Sequence, residues 1–187
     1  MTTSPAQLIS ASQRVHVGQG ERHVTNDPNV MLSTILGSCV AACVRDEVAG
    51  VGGMNHFLLP DGSGATGAER QRYGVHAMEL LINEILKAGG RRERMRAKLF
   101  GGARMFTDLR NIGDANAAFA TKFLKDEGVP IEATSLGGTQ ARRVHFWPAT
   151  GKVLMRAVED AAAVVSVERQ VIRAPKPVEP DGAVELF

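Results

Sequence analysis

The chain has 187 residues, of which 44% are hydrophobic and 22% are charged, a composition typical of one globular domain with or without loose ends. A formal net charge of +2, from 22 basic and 20 acidic residues, gives no general case for nucleic acid as a partner. The basic run 91–96 contains no aromatic residue, so we interpret it as a solvated helix end and turn rather than a nucleic-acid site.

Two cysteines are too few for a disulfide-stabilised scaffold or for a zinc site with four cysteine ligands. The sequence contains no signal-peptide core and no apolar run of membrane-spanning length. We therefore expect a soluble, cytoplasmic protein without membrane insertion, in a compartment where thiols stay reduced.

Small and polar residues dominate positions 1–13, which we expect to be disordered, and prolines mark positions 174–187 as a tail. One domain is expected between them, over 14–173. Its first strand is predicted at Val15-His16-Val17, where apolar and polar residues alternate. Apolar runs and turn signals then predict strands over 30–36, 39–44 and 51–59, a loop over 61–72 and an amphipathic helix over 73–88.

The second half of the chain alternates between strand and helix patterns. We predict a strand over 95–100, a helix over 114–125, a strand over 129–135 and a hairpin formed by 143–147 and 152–158. Positions 164–172 could form a last strand, although the alanines at 161–163 leave a helical turn open. This order favours an α+β or layered α/β domain over a regular βαβ array.

Cys39 lies in a turn of small residues between two apolar runs and is the first candidate for a reactive group. The small residues Gly37 and Ser38 before it let a substrate and backbone N–H groups approach the sulfur, and they predict an accessible thiol. His56 ends the next apolar run, and an imidazole beside a thiol can hold it as the nucleophilic thiolate. The alternative is that both are core residues, since most single cysteines in apolar runs are buried.

Cys43 has only apolar neighbours, so we interpret it as a core residue. It would share one face of a strand with Cys39, which leaves a redox pair open. A disulfide bond within one strand is geometrically poor, however.

The segments 33–41 and 53–60 resemble the signature of the CheD family, the chemoreceptor glutamine deamidases. The resemblance covers roughly positions 15 to 158. The further matches are Tyr73-Gly74, Ala77–Leu81, Lys98–Phe106, Asn111-Ile112-Gly113 with Asn116, Gly137-Gly138, Arg142-Arg143-Val144 and Thr150–Val153. Two positions depart from the usual pattern: Ser33 stands where the family usually has threonine, with Thr34 beside it, and Ala115 stands where it usually has arginine.

This resemblance implies a layered mixed β-sheet domain with helices packed outside, similar to the catalytic domain of the cytotoxic necrotizing factor toxins. It also implies a mechanism without metal or organic cofactor, in which the Cys39 thiolate attacks a receptor glutamine and His56 transfers protons. Ser33 or Thr34 would orient the imidazole, and the family spacing favours Ser33. Backbone N–H groups around Gly37, Ser38 and Cys39 would hold the oxyanion. The implied partners are chemoreceptors and the phosphatase CheC.

Three other classes of function stay open on the sequence. A protease or a transglutaminase could use the same cysteine and histidine. A non-catalytic adaptor would bind receptors or CheC with an inactive site. A redox sensor would use Cys39 and Cys43 together.

Overall fold

The structure is a computed structural model, and it describes residues 13–60, 66–105 and 112–158. Residues 1–12 of the expected disordered segment, the tail 174–187 and the segment 164–172 lie outside the described residues, whereas Gln13, the last residue of the expected disordered segment, is the first residue of a strand. The expectation of one domain over 14–173 therefore stays a prediction. No helix in the described part of the chain has the length and apolar character that crossing a membrane requires.

Strands form most of the regular structure, and each strand predicted over the described residues is present within two residues of its predicted bounds. Arg22–Thr25 is an additional strand that the sequence did not predict, and residues 92–94 form a single 3₁₀ turn. The elements are β1 (Gln13–His16), β2 (Arg22–Thr25), β3 (Val30–Leu36), β4 (Val40–Asp46), β5 (Val51–Phe57), α1 (Gly67–Lys87), β6 (Met95–Gly101), α2 (Ile112–Asp126), β7 (Ile131–Leu136), β8 (Arg142–Trp147) and β9 (Lys152–Ala157).

The strands make two mixed sheets. The first has the order β1-β3-β8-β9 and the second has the order β2-β5-β4-β6-β7. One pair in each sheet is parallel, β1 with β3 and β6 with β7, and the other pairs are antiparallel. The chain passes from the first sheet to the second at 17–21, between β1 and β2, and again at 37–39, between β3 and β4.

Strand β4 shows how the layers are built, because its residues contribute alternately to two hydrophobic cores. Val40, Ala42 and Val44 pack in the core that contains the helices, with side chains such as Leu81 and Leu124. Ala41 and Cys43 pack in the core between the two sheets. Successive residues of a strand point to opposite faces, so one strand can serve both cores. The predicted α+β domain with layered sheets and outer helices is confirmed.

Helix α1 begins earlier than the sequence pattern indicates, so the prediction of a loop is wrong for residues 67–72. Thr66 and Glu69 form a capping box: the Thr66 Oγ1 atom accepts from Glu69 N at 3.3 Å, and Glu69 Oε2 accepts from Thr66 N at 2.7 Å. The first turns of the helix are largely exposed and polar. They therefore lack the apolar periodicity from which a helix is predicted.

Candidate active site

His56 lies near the end of β5 and meets a hydroxyl from the opposite sheet. Its Nδ1 atom is 2.9 Å from Thr34 Oγ1 and 3.3 Å from the carbonyl oxygen of Val17. The Thr34 hydroxyl donates its single proton to Val17 O at 2.8 Å, so it can only accept a proton from the imidazole. The network therefore assigns the neutral imidazole proton to Nδ1, which makes Nε2 the basic nitrogen.

Of the two neighbouring hydroxyls, the structure brings Thr34 and not Ser33 to His56. Ser33 is paired with His16 of β1 and with His145 of β8, and its side chain points to the other face of β3 because adjacent strand residues alternate. The contact therefore favours Thr34 over Ser33, which the spacing favoured, as the group that orients the imidazole. The spacing counts residues along the chain, whereas contact depends on which face of β3 meets the second sheet.

Cys39 and His56 belong to neighbouring strands of the second sheet. The register of β4 and β5 pairs Val40 with Phe57 and Ala41 with His56. Residues paired across two strands share a face, so His56 points to the same side as Ala41, into the core between the sheets, where Cys39 also packs. Cys39 directly precedes β4 and is thus a diagonal neighbour of His56 on that face.

The carbonyl group of Cys39 is fixed by the end of β6. Gly102 N donates to Cys39 O at 2.7 Å. Gly101 has a φ angle of +108°, and a Cβ atom at this position would lie 2.1 Å from Cys39 O. Only glycine allows both this backbone conformation and this close approach, which explains the glycine pair at the end of the strand.

The other two carbonyl groups of the turn also accept hydrogen bonds. Ala103 N donates to Gly37 O at 2.8 Å, and Asn116 Nδ2 of α2 donates to Ser38 O at 2.9 Å. In a trans peptide the C=O and the following N–H point in opposite directions. The N–H groups of Ser38 and Cys39 are therefore directed away from the residues that bind these carbonyl oxygens.

The thiol of Cys39 is buried, contrary to the expectation that the small residues before it would leave it accessible. The residue has 0% relative exposure, and its Sγ donates to Gln19 Oε1 at 3.6 Å. Gln19 belongs to the crossing 17–21 and is itself partly exposed. A substrate can therefore reach the sulfur only after a local movement of the groups that cover it.

Two ionisable groups near the thiol have perturbed pKa values. Burial raises the pKa of Cys43 far above its usual range, against a smaller opposite effect of the nearby Lys98 ammonium. Burial and then the negative charge of the Cys39 thiolate raise the pKa of Tyr73. Cys43 thus stays a protonated core thiol. Tyr73 stays a neutral hydroxyl, and it lies close enough to Cys39 for a thiolate there to disfavour its ionisation.

The fold and these contacts define a layered α+β domain with a cysteine, a histidine and a threonine in the buried region between two sheets. Thiol hydrolases use this set of groups, in which the base is oriented by a third residue. A family model described as CheD chemotactic sensory transduction matches residues 58–157. Relatives that match over 93% or more of this chain extend the similarity to the segment with Cys39 and His56.

The "Probable chemoreceptor glutamine deamidase CheD" of Caulobacter vibrioides is 56% identical over 175 residues, which cover 93% of each chain. The protein of the same name from Agrobacterium fabrum is 51% identical over 182 residues, covering 96% of this chain and 99% of that one. Among solved structures, the Bacillus licheniformis hypothetical protein YfiH has a TM-score of 0.41 and 16% identity, covering 67% of this chain and 60% of that one.

The chain belongs to the CheD family, as its motifs predicted. The sequence did not predict two residues of the site. One is Gln19, and the other is the buried Asn116, which donates a hydrogen bond to a carbonyl oxygen of the turn. Asn116 stood in a matching motif, so a signal existed for it. Gln19 belongs to no matching motif. It reaches Cys39 because the segment 17–21 passes from the first sheet to the second next to the thiol.

Proposed function

We propose that this chain is a cytoplasmic enzyme that hydrolyses glutamine side chains of chemoreceptors to glutamate and releases ammonia. The observation that carries the proposal is the contact between Thr34 and His56 on the face that Cys39 shares, in a chain of the CheD family. Relatives that match 93% or more of this chain bear the name of chemoreceptor glutamine deamidase.

In the first half of the reaction, the Cys39 sulfur attacks the carboxamide carbon of the substrate while His56 Nε2 takes the thiol proton. The negative charge that develops on the carboxamide oxygen is stabilised by backbone N–H groups of the turn Gly37-Ser38-Cys39. When the tetrahedral intermediate collapses, the carbon–nitrogen bond breaks. His56 returns the proton to the departing nitrogen, which leaves as ammonia.

In the second half, the thioester between Cys39 and the former glutamine is hydrolysed. His56 takes a proton from a water molecule, whose oxygen attacks the thioester carbon. The carbon–sulfur bond then breaks, which frees the glutamate side chain and regenerates the thiol. Thr34 keeps the Nδ1 proton in place through both halves, so Nε2 is the nitrogen that accepts and returns protons.

The central test replaces each proposed group in turn. We expect Cys39→Ala and His56→Ala each to abolish deamidation of a purified receptor fragment without unfolding the protein, with Cys43→Ala as the matched active control. The double variant should be hardly slower than either single variant, because the two groups act as a unit. Ammonia release and the one-dalton mass gain at named glutamines are measured, and retained deamidation in Cys39→Ala would exclude Cys39 as the nucleophile.

The alkylation rate of Cys39 in the wild-type protein separates the enzyme from a non-catalytic adaptor. Both thiols are buried, but a Cys39 thiol that His56 activates should react with iodoacetamide before Cys43, whose pKa is raised by burial. An adaptor with an inactive site would show a Cys39 alkylation rate no higher than that of a model thiol.

The binding of CheC, which only the family resemblance suggests, is tested by titrating the chain with purified CheC in a calorimeter.

A further inference from the structure

The side chain of Gln19 has the same functional group as the proposed substrate, and it lies against the proposed nucleophile. Its Oε1 atom accepts a hydrogen bond from Cys39 Sγ at 3.6 Å, and the cysteine has no exposed surface. Gln19 itself is partly exposed, so its carboxamide forms part of the cover between the sulfur and the solvent.

The backbone around Gln19 is tied to the two strands that carry Thr34 and His56. Val17 N donates to Ser33 O at 2.9 Å, Gly20 N donates to His56 O at 2.7 Å, and His56 N donates to Glu21 O at 3.0 Å. The crossing is thus bonded to β3 at one end and to β5 at the other. A side chain presented by such a crossing is held in a defined place before the substrate arrives, which is what electrostatic catalysis requires.

The chemistry of the carboxamide suits a second task once the substrate is bound. A glutamine side chain carries one acceptor oxygen and a nitrogen with two donor hydrogens, and its last torsion is broad and roughly two-fold. A rotation about this bond exchanges Oε1 for Nε2 at nearly the same place. The group that accepts a proton from the thiol can then donate to a negative charge.

The developing negative charge forms close to this place. The oxyanion is bonded to the carbon that Sγ attacks, so it lies only two bonds from the sulfur. A polar group that is 3.6 Å from Sγ is therefore within reach of the oxyanion after a small adjustment. Side-chain amides are among the donors that stabilise oxyanions of this kind.

We propose that Gln19 is a further catalytic residue, which covers the thiol in the resting enzyme and donates its Nε2–H to the substrate carbonyl oxygen as the oxyanion forms. This inference rests on the proposed function, because it takes Cys39 as the nucleophile. It adds a side-chain donor to the backbone N–H groups of the turn.

The test compares Gln19→Met, which keeps the length of the side chain but removes the donor, with Gln13→Met on the exposed strand β1 as the matched control. Ammonia release is measured in single turnovers with the enzyme in excess over a receptor fragment, so that acylation is observed directly. We expect the maximal rate of Gln19→Met to fall about 10- to 100-fold, somewhat less than for a fully buried oxyanion donor. Half-saturation and the melting temperature should stay close to those of the wild type.

A second variant gives a readout that needs no receptor. Gln19→Glu places a carboxylate beside the sulfur, which disfavours the thiolate. We expect the pH at which iodoacetamide alkylates Cys39 to move upward in Gln19→Glu, whereas Gln13→Glu should leave it unchanged. An unchanged alkylation profile in Gln19→Glu would mean that the side chain does not stay next to the sulfur in solution, and it would overturn the proposal.

Three other results would also overturn it. A Gln19→Met variant with an unchanged maximal rate that reaches half-saturation at a lower enzyme concentration would show that Gln19 only covers the thiol. A one-dalton gain at Gln19 in the wild type, absent from Cys39→Ala, would make it a substrate of its own enzyme. An inactive Cys39→Ala together with a fully active Gln19→Met would reject the role of Gln19 alone, whereas a wild-type enzyme that releases no ammonia from receptor fragments would reject the proposed function itself.

Discussion

At the residue scale, the orientation of the His56 imidazole depends on two acceptors for its Nδ1 proton. Thr34 Oγ1 lies at 2.9 Å and Val17 O at 3.3 Å. The Thr34 hydroxyl is itself fixed by its bond to Val17 O. The shorter contact makes Thr34 the main orienting group, with the carbonyl of Val17 as a weaker second partner.

Replacing Thr34 should therefore impair catalysis more than replacing its neighbour. We expect Thr34→Ala to lower the maximal rate of deamidation roughly tenfold, a part of the about 100-fold that a well-positioned general base provides. Val17 O still restrains the ring in this variant, so the loss should be incomplete. Ser33→Ala is the matched control, and a larger loss in Ser33→Ala would mean that the hydroxyl on the other face of β3 is the one that matters.

At the scale of elements, the β4–β5 hairpin sets the register of Cys39 and His56, and Asp46 anchors its turn. Asp46 Oδ1 accepts from Val48 N at 2.9 Å and from Ala49 N at 3.1 Å. Its Oδ2 accepts from Arg91 N at 2.8 Å and from the Arg94 guanidinium at 2.7 Å. One buried carboxylate thus joins the hairpin turn to the 3₁₀ turn that leads into β6.

This anchor makes stability depend on pH in a defined direction. Burial by itself would raise the pKa of Asp46, but the hydrogen bonds from Ala49, Arg94 and Arg91 outweigh it and lower the pKa from 3.8 to about 2. A lowered pKa means that the folded state favours the ionised carboxylate, so its contribution is complete above the unfolded pKa. It is lost as the pH falls towards the folded value.

We expect Asp46→Asn to lower the free energy of unfolding at pH 7 by about 2 kcal/mol. The gap between wild type and variant should shrink as the pH is lowered from about 4 to about 2, where the wild-type carboxyl becomes protonated. Urea unfolding at several pH values measures both effects. Asp126→Asn, which breaks an exposed pair with Lys122, is the control and should change stability little; a gap that is constant with pH would contradict the assigned pKa.

At the scale of the whole molecule, two sheets and two helices bury the site from both sides. The core between the sheets contains Cys39 and Cys43, and the core under the helices contains Met78, Leu81 and Leu124. Asn116 links the two layers, because its Oδ1 accepts from Leu59 N at 2.9 Å while its Nδ2 holds Ser38 O. The layer of helices therefore supports the nucleophile turn directly, as well as covering the sheet.

The ends of the chain should be dispensable for this arrangement. We expect that removing residues 1–12 and 176–187 leaves the melting temperature and deamidation unchanged, because these segments have too little apolar content to pack. Thermal unfolding and ammonia release of the trimmed chain test this. A large fall in melting temperature would show that the apolar end Val184-Glu185-Leu186-Phe187 packs on the body.

The strands and the two candidate catalytic residues, Cys39 and His56, could be predicted from the sequence because they depend on local pattern. The strand over 30–36 was predicted with its observed bounds, since a mainly apolar run of strand length that is bounded by turn residues leaves few alternatives. Cys39 and His56 stood out because their residue types and small neighbours are chemically distinctive. The family followed from the same motifs.

Only the tertiary structure decided which groups meet these two residues. The family spacing along the chain favours Ser33 over Thr34, but the face that β3 turns towards the second sheet brings Thr34 to His56. Gln19 reaches the thiol because the crossing 17–21 passes between β1 and β2. The burial of Cys39 likewise comes from residues distant in sequence. Periodicity records which residues share a face of one strand, but the pairing of faces between sheets is set by packing across the whole domain.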